Sequence, residues 1–142
     1  MKNIYFLTKF LATFIFLSSQ SLAVSNSYFD KGKELFSKKK FEESKIFFEK
    51  DIVFNPKSEN SYLFLAKIFK ERDDDLEQEK NLKSVLVINP KNDEAIYMLA
   101  VLKIKNSDYD EAKSLIENFD LVCKSFCFKK KEIKDQFNKL TP

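Results

Sequence analysis

The sequence predicts an all-α protein, an α-solenoid of three stacked helical hairpins closed by one further helix. Three observations predict it. The first is an echo at a spacing of 34 residues: Asn55-Pro56-Lys57 recurs as Asn89-Pro90-Lys91, Tyr28 maps onto Tyr62, Gly32 onto Ala66, Leu35 onto Phe69 and Phe48 onto Leu82. The second is a third copy of the pattern at Ile96, Leu99, Ala100, Tyr109, Ala112, Ile116 and Val122. The third is the scarcity of chain breakers, one glycine and three prolines in 142 residues, which suits helices joined by short turns. A hairpin of this length cannot bury its own apolar face, so the units must stack.

The first element, Met1–Ala23, reads as a secretory signal peptide. Lys2 and Lys9 supply positive charge, residues 10–17 form an apolar core, and Ser21-Leu22-Ala23 places small residues where a signal peptidase reads them. Cleavage after Ala23 leaves residues 24–142 as the folded domain. The apolar core is shorter than the about 20 residues that a membrane span needs. Counted from Ile4 across Thr8 and Lys9 it lengthens, which leaves a retained membrane anchor as the alternative.

The first repeat covers about residues 25–58. Ser25 to Ser27 offers an N-cap for a helix Tyr28–Ser37, Lys38-Lys39-Lys40 turns the chain, and Phe41–Phe54 follows with Phe41, Ile46, Phe47, Phe48, Ile52 and Phe54 as a wide apolar face. Pro56 stops that helix, since it lacks the N–H the ladder needs. In the second repeat, about 59–92, Ser58 or Asn60 caps Tyr62–Arg72, Asp73-Asp74-Asp75 turns, and a helix from about Leu76 to Ile88 ends before Pro90. The three turn acids suit the positive N-terminal end of that helix. In the third, about 93–124, Asn92 and Asp93 open a helix through Lys105, Asn106-Ser107-Asp108 turns, and Tyr109–Val122 completes the pair. A capping helix at about 128–140 puts Ile133, Phe137 and Leu140 on one stripe and charges elsewhere.

Composition excludes several kinds of chemistry. There is no histidine, which removes histidine metal sites, histidine-based nucleophile systems and imidazole proton shuttles. No Gly-rich phosphate loop appears, and the acids fall at helix starts and on solvated faces. The expectation is therefore a non-catalytic chain with no cofactor and no metal. The net charge of +3 falls to +1 without Lys2 and Lys9, and Arg72 is the only arginine. Since arginine is the preferred fork for phosphates and base edges, no nucleic-acid partner is expected.

The periodic positions resemble the tetratricopeptide repeat family. A large residue opens each first helix (Tyr28, Tyr62, Ile96), and a Gly or Ala follows at the helix crossing (Gly32, Ala66, Ala100). An aromatic opens the second helix (Phe41, Tyr109), with a small residue (Ser44, Ala112), then a bulky one (Phe48, Leu82, Ile116), and a closing proline (Pro56, Pro90). Several positions depart: Lys31 stands where Leu65 and Leu99 do, Asp51 takes a small-residue site, Lys103 replaces an apolar residue and Lys124 the third proline. Asp75 and Gln78 replace the aromatic and the small residue of the middle hairpin, which predicts a looser pair.

The resemblance implies an adaptor or scaffold that binds a protein or peptide in a concave groove lined by the first helices. In this register the groove presents Phe29, Lys33 and Phe36, then Leu63, Lys67 and Lys70, then Tyr97 and Val101, with Asn60, Glu94 and Lys105 beside them. Apolar side chains next to lysines suit an extended or helical peptide with apolar anchors and some acidic charge. Phe29, Leu63 and Tyr97 fit packing between repeats equally well. Some family members grip a terminal carboxylate with lysines and asparagines; here those places hold Phe29, Lys33, Phe64, Glu94 and Met98, which argues against that clamp. The alternative function is a membrane-tethered assembly subunit with the leader retained.

Cys123 and Cys127 are the only cysteines. Export, with the bacterial periplasm as the expected compartment, favours a disulfide between them. Cβ atoms four residues apart on a helix lie about 5–6 Å apart, against about 3.5–4.5 Å in a disulfide, so the bridge requires a nonhelical turn that Lys124-Ser125 can supply. Such a bridge stands in for the missing proline by fixing the angle of the cap. The spacing is not Cys-x-x-Cys and no strand pattern accompanies it, unlike a redox catalyst.

Overall fold

A computed structural model describes residues 20–140, with side chains from Tyr28 onward. The predicted signal peptide lies outside the described residues except for its last four positions, which are helical. The elements are α1 (Gln20–Ser37), α2 (Phe41–Phe54), α3 (Glu59–Glu71), α4 (Asp75–Ile88), α5 (Asp93–Lys105), α6 (Tyr109–Val122), a 3-10 turn (Cys127–Lys129) and α7 (Lys130–Leu140). Among the described residues no helix is long and apolar enough to cross a membrane. Two compact units divide the chain, Met1–Pro56 and Lys57–Pro142.

The helix boundaries follow the sequence reading closely, with two corrections at helix starts. α3 begins at Glu59 rather than Tyr62, so Asn60 lies inside it, and Ser58 at its N-cap makes no side-chain cap hydrogen bond. Ser25 to Ser27 does not cap α1 but lies inside it, because residues 20–31 contain neither proline nor glycine to interrupt the ladder. In the first unit α1 packs on α2 at the only glycine. A Cβ on Gly32 would lie 2.7 Å from Cε1 of Phe48, and the Phe48 ring is fully buried. Opposite it, the Ser44 hydroxyl donates to the Gly32 carbonyl at 2.7 Å. A small residue on each helix is what brings the two backbones together. Ile46 and Phe54 are 50% and 59% exposed, so the buried stripe of α2 is narrower than its sequence suggests, running Ser44, Phe48, Asp51. Lys31 points to solvent and pairs with Glu34 at 2.9 Å.

The turns inside the hairpins repeat with the sequence period. Lys39, Asp73 and Ser107 all take left-handed backbone, with φ of 57°, 53° and 60°. The following N–H in each case reaches back to a helix carbonyl: Lys40 to Leu35, Asp74 to Phe69 and Asp108 to Lys103. These bonds satisfy carbonyls that the helix end would leave unpaired. Asp74 and Asp108 then cap the next helix, accepting from the N–H of Glu77 and of Glu111. Lys40 holds the same position in the first hairpin and makes no side-chain cap.

The second unit stacks two hairpins and the cap. One buried cluster joins Leu63 and Ala66 of α3, Leu82 and Val85 of α4, and Ala95, Met98, Leu99 and Leu102 of α5. A second joins Ile96, Ala100 and Ile104 to Ala112, Ile116 and Phe119 of α6 and Ile133 of α7. The middle hairpin is not the looser pair expected. Gln78 is buried, at 4% exposure, as is Ala66 across the hairpin, and Asp75 is held by Lys105 at 2.6 Å. The unexpected Lys103 is also buried, with its ammonium 2.9 Å from Glu79 of α4 and 2.8 Å from Glu111 of α6. Burial opposes its charge, but these two carboxylates outweigh that and raise its pKa.

Candidate functional site

Helical spacing builds a cavity in the second unit. Tyr97, Val101 and Lys105 lie one turn apart on one face of α5, and Met98 and Leu102 lie beside them. With Lys70 of α3, Asp73 of the following turn and Gln78 of α4 they line a volume of about 210 Å³. Drug-sized ligand sites run to roughly 300–1,000 Å³, so this one admits a side chain or two of a larger partner. Four of its lining side chains are aliphatic or aromatic (Tyr97, Met98, Val101, Leu102), beside the buried amide of Gln78 and the charges of Lys70, Asp73 and Lys105. Lys70 is exposed. Lys105 is tied to Asp75 at 2.6 Å and Asp73 at 3.6 Å, and the Asp75 bond above all raises its pKa.

Tyr97 is the wall shared with the cap. Its ring packs against Phe119 and Phe126, each at 5.9 Å between centroids. Its hydroxyl donates to Glu132 of α7 at 2.7 Å, and Lys129 lies over the ring at 5.7 Å. Burial first, then the Glu132 carboxylate, pushes the phenol up to about 12.

Two acids at equivalent positions hold the ends of the repeats. Glu59, at the start of α3, accepts from the side-chain amides of Asn89 and Asn92 in the turn after α4. Asp93, 34 residues on, does the same for the turn after α6, where one carboxylate oxygen accepts from the backbone N–H of Lys124, Ser125 and Phe126 at 2.6, 2.6 and 2.9 Å. Burial pushes the Asp93 carboxyl up, but these bonds together outweigh it and lower its pKa. The same turn carries the expected bridge: Cys123 and Cys127 are joined, 5.3 Å apart at Cα, across a nonhelical stretch that includes Lys124-Ser125. Asp120 anchors the other side of the cap through Lys134 at 2.5 Å.

The residues expected in the groove divide into several groups. Lys70, Tyr97 and Val101 line the cavity. Leu63 does not: it is 6% exposed, buried in the cluster that side chains of α4 and α5 complete. Lys67 is spent on Glu94 at 2.8 Å and sits over the Phe64 ring. Phe29 and Phe36 belong to the first unit, where they pack on Phe48 and Phe41 at 5.8 and 5.4 Å, and Lys33 there is exposed. Sequence reasoning missed Asp73, Gln78, Met98 and Leu102 as lining residues. The one available signal was Gln78, too large for the crossing position it occupies.

Residues 25–52 match the family model described as tetratricopeptide repeat. No curated protein matches the chain in a sequence search. Among solved structures it is similar to the Arabidopsis OM64 TPR domain (TM-score 0.77, 17% identity, 85% of this chain and 99% of that one). It is also similar to the first TPR of Spaghetti (RPAP3) bound to the HSP90 peptide SRMEEVD (TM-score 0.73, 15% identity, 82% and 92%). A third is the Yersinia enterocolitica type III secretion chaperone SycD in complex with a peptide of the translocator YopD (TM-score 0.71, 11% identity, 81% and 90%). The matched first repeat, the periodic turns and crossings, and the similar structures together give this chain the tetratricopeptide-repeat fold.

Proposed function

We propose that the chain is an exported, non-catalytic adaptor that binds a peptide segment of a protein partner. An apolar anchor of that segment enters the cavity between α3 and α5, and acidic flanks face Lys70. The observation that carries this reading is a cavity of about 210 Å³ in which Tyr97, Met98, Val101 and Leu102 share the lining with Lys70 and Lys105. Two of the similar structures hold peptides, which supports a peptide as the ligand class. Export rests on the leader pattern of Met1–Ala23, and a Cys123–Cys127 bridge fits the oxidising compartment it leads to.

The test is affinity capture from the native host with the wild type and with Val101→Arg, which fills and charges the cavity, read by mass spectrometry. A partner bound by the wild type and lost from a fully helical variant supports the reading; a partner retained by the variant moves binding elsewhere. Sequencing the N-terminus of the exported protein tests the leader: a start at Val24 is expected, and a retained Met1 favours the tethered alternative.

A further inference from the structure

The turn after α6 is built differently from the turn after α4. The earlier one is stiffened by Pro90 and by the amides of Asn89 and Asn92 on Glu59. The later one has no proline; it has the Cys123–Cys127 bridge and the three backbone N–H groups on Asp93. A proline is permanent, whereas a disulfide can be opened. Both cysteines are half-buried, and the residues between them, Lys124 and Ser125, are exposed, so a thiol can approach without unfolding the core.

We propose that Cys123–Cys127 is a thiol–disulfide exchange site that sets how firmly the cap is docked, and through it the Tyr97 wall of the cavity. The reactant is a dithiol. One of its thiolates attacks a bridge sulfur and forms a mixed disulfide while the other cysteine leaves as thiolate and takes a proton. The second thiol of the reactant then closes its own disulfide and releases the remaining cysteine, so two electrons and two protons pass to the protein. Opening frees residues 123–127 to leave the conformation that aims three N–H groups at one oxygen of Asp93. The next contacts along are those of the cap with α5, the Glu132–Tyr97 hydrogen bond and Lys129 over the Tyr97 ring. Asp93 and Tyr97 are one helical turn apart, so the bridge and the cavity wall are mechanically adjacent. The cap itself stays tethered by Ile133 in the buried cluster and by Lys134 on Asp120, which makes loosening rather than global unfolding the outcome.

The experiment needs no ligand. Full-length exported protein is compared oxidised, reduced with dithiothreitol at neutral pH, and reoxidised, by amide hydrogen exchange read by mass spectrometry. Exchange in residues 123–140 and 93–97 is expected to rise on the order of tenfold on reduction, as a short closed loop constrains the chain. Residues 59–88 should be unchanged and reoxidation should restore the first pattern. The Cys123→Ser/Cys127→Ser variant should reproduce the reduced state. A bridge that dithiothreitol cannot open until the protein is denatured overturns the proposal, as does reduction without any change in exchange. A reduced protein or a double variant that loses its helicity altogether overturns it too, because the bridge would then be a plain staple. Failure here leaves the peptide-binding reading standing, since capture through the cavity is measured on the oxidised protein.

Discussion

Replacing the single glycine by alanine opposes two effects of known size. Gly32 sits in the interior of α1, where alanine should gain about 1 kcal/mol of helix propensity. Against that, the new methyl would lie 2.7 Å from Cε1 and 2.9 Å from Cδ1 of Phe48. Those atoms are the edge of a fully buried ring, not the free end of a flexible side chain, so the helices must move apart; overpacking of this kind costs about 1–3 kcal/mol. Separation also stretches the buried 2.7 Å bond from the Ser44 hydroxyl to the Gly32 carbonyl, worth about 1 kcal/mol. The packing side wins, and Gly32→Ala should destabilise the first hairpin by about 2 kcal/mol. Urea unfolding followed by far-UV circular dichroism measures the loss, and hydrogen exchange across residues 28–54 localises it. Shortening the ring should relieve the clash, so Phe48→Leu should cost less in the alanine background than in the wild type, by at least about 0.5 kcal/mol. An alanine variant as stable as the wild type, or strictly additive effects of the two substitutions, would refute the reasoning.

Three further outcomes follow from the turns and the buried charges. Lys40→Asp gives α2 the cap that Asp74 and Asp108 give their helices, with Glu43 in place to answer it; it should stabilise the first hairpin by about 1 kcal/mol, less the small value of the exposed Lys40–Glu43 pair, as read by the urea midpoint. The Asp93 pKa is lowered on folding, so its contribution is present above its ordinary value of 3.8 and is lost as pH falls through the folded one. The urea midpoint of Asp93→Asn should therefore lie below the wild type at neutral pH, and the gap should close under about pH 4; a gap that persists in acid would mean the turn does not depend on the carboxylate. Lys103→Ala should cost about 1–3 kcal/mol by thermal unfolding, since it removes the buried stem and the cation between Glu79 and Glu111 and leaves Glu79 with Lys83 alone, while Lys103→Met should recover the packing part through its longer stem.

The period of 34 carried most of the architecture on its own. Helix boundaries, the three turns and the crossings at Gly32, Ala66 and Ala100 were legible because each depends on local chemistry: a proline that cannot donate, an acid that caps, a residue without a side chain to block a neighbour. The bridge was legible too, since two cysteines four apart can meet only across a break in the helix. What tertiary structure alone decided was how each side chain is spent. Leu63 and Val101 both read as groove residues, yet one is in the core and the other lines the cavity; periodicity places a residue on a face, while the neighbouring helix decides how much of that face it covers. Lys103 read as a misplaced charge until Glu79 and Glu111, 24 residues before it and eight after, arrived beside it. Asp93 read as a helix-opening acid, which describes its backbone, but the three N–H groups it holds come from a turn some 30 residues away. Local bonds are written in neighbouring residues and can be read there; pairings across the stack exist only once apolar burial has brought the hairpins together.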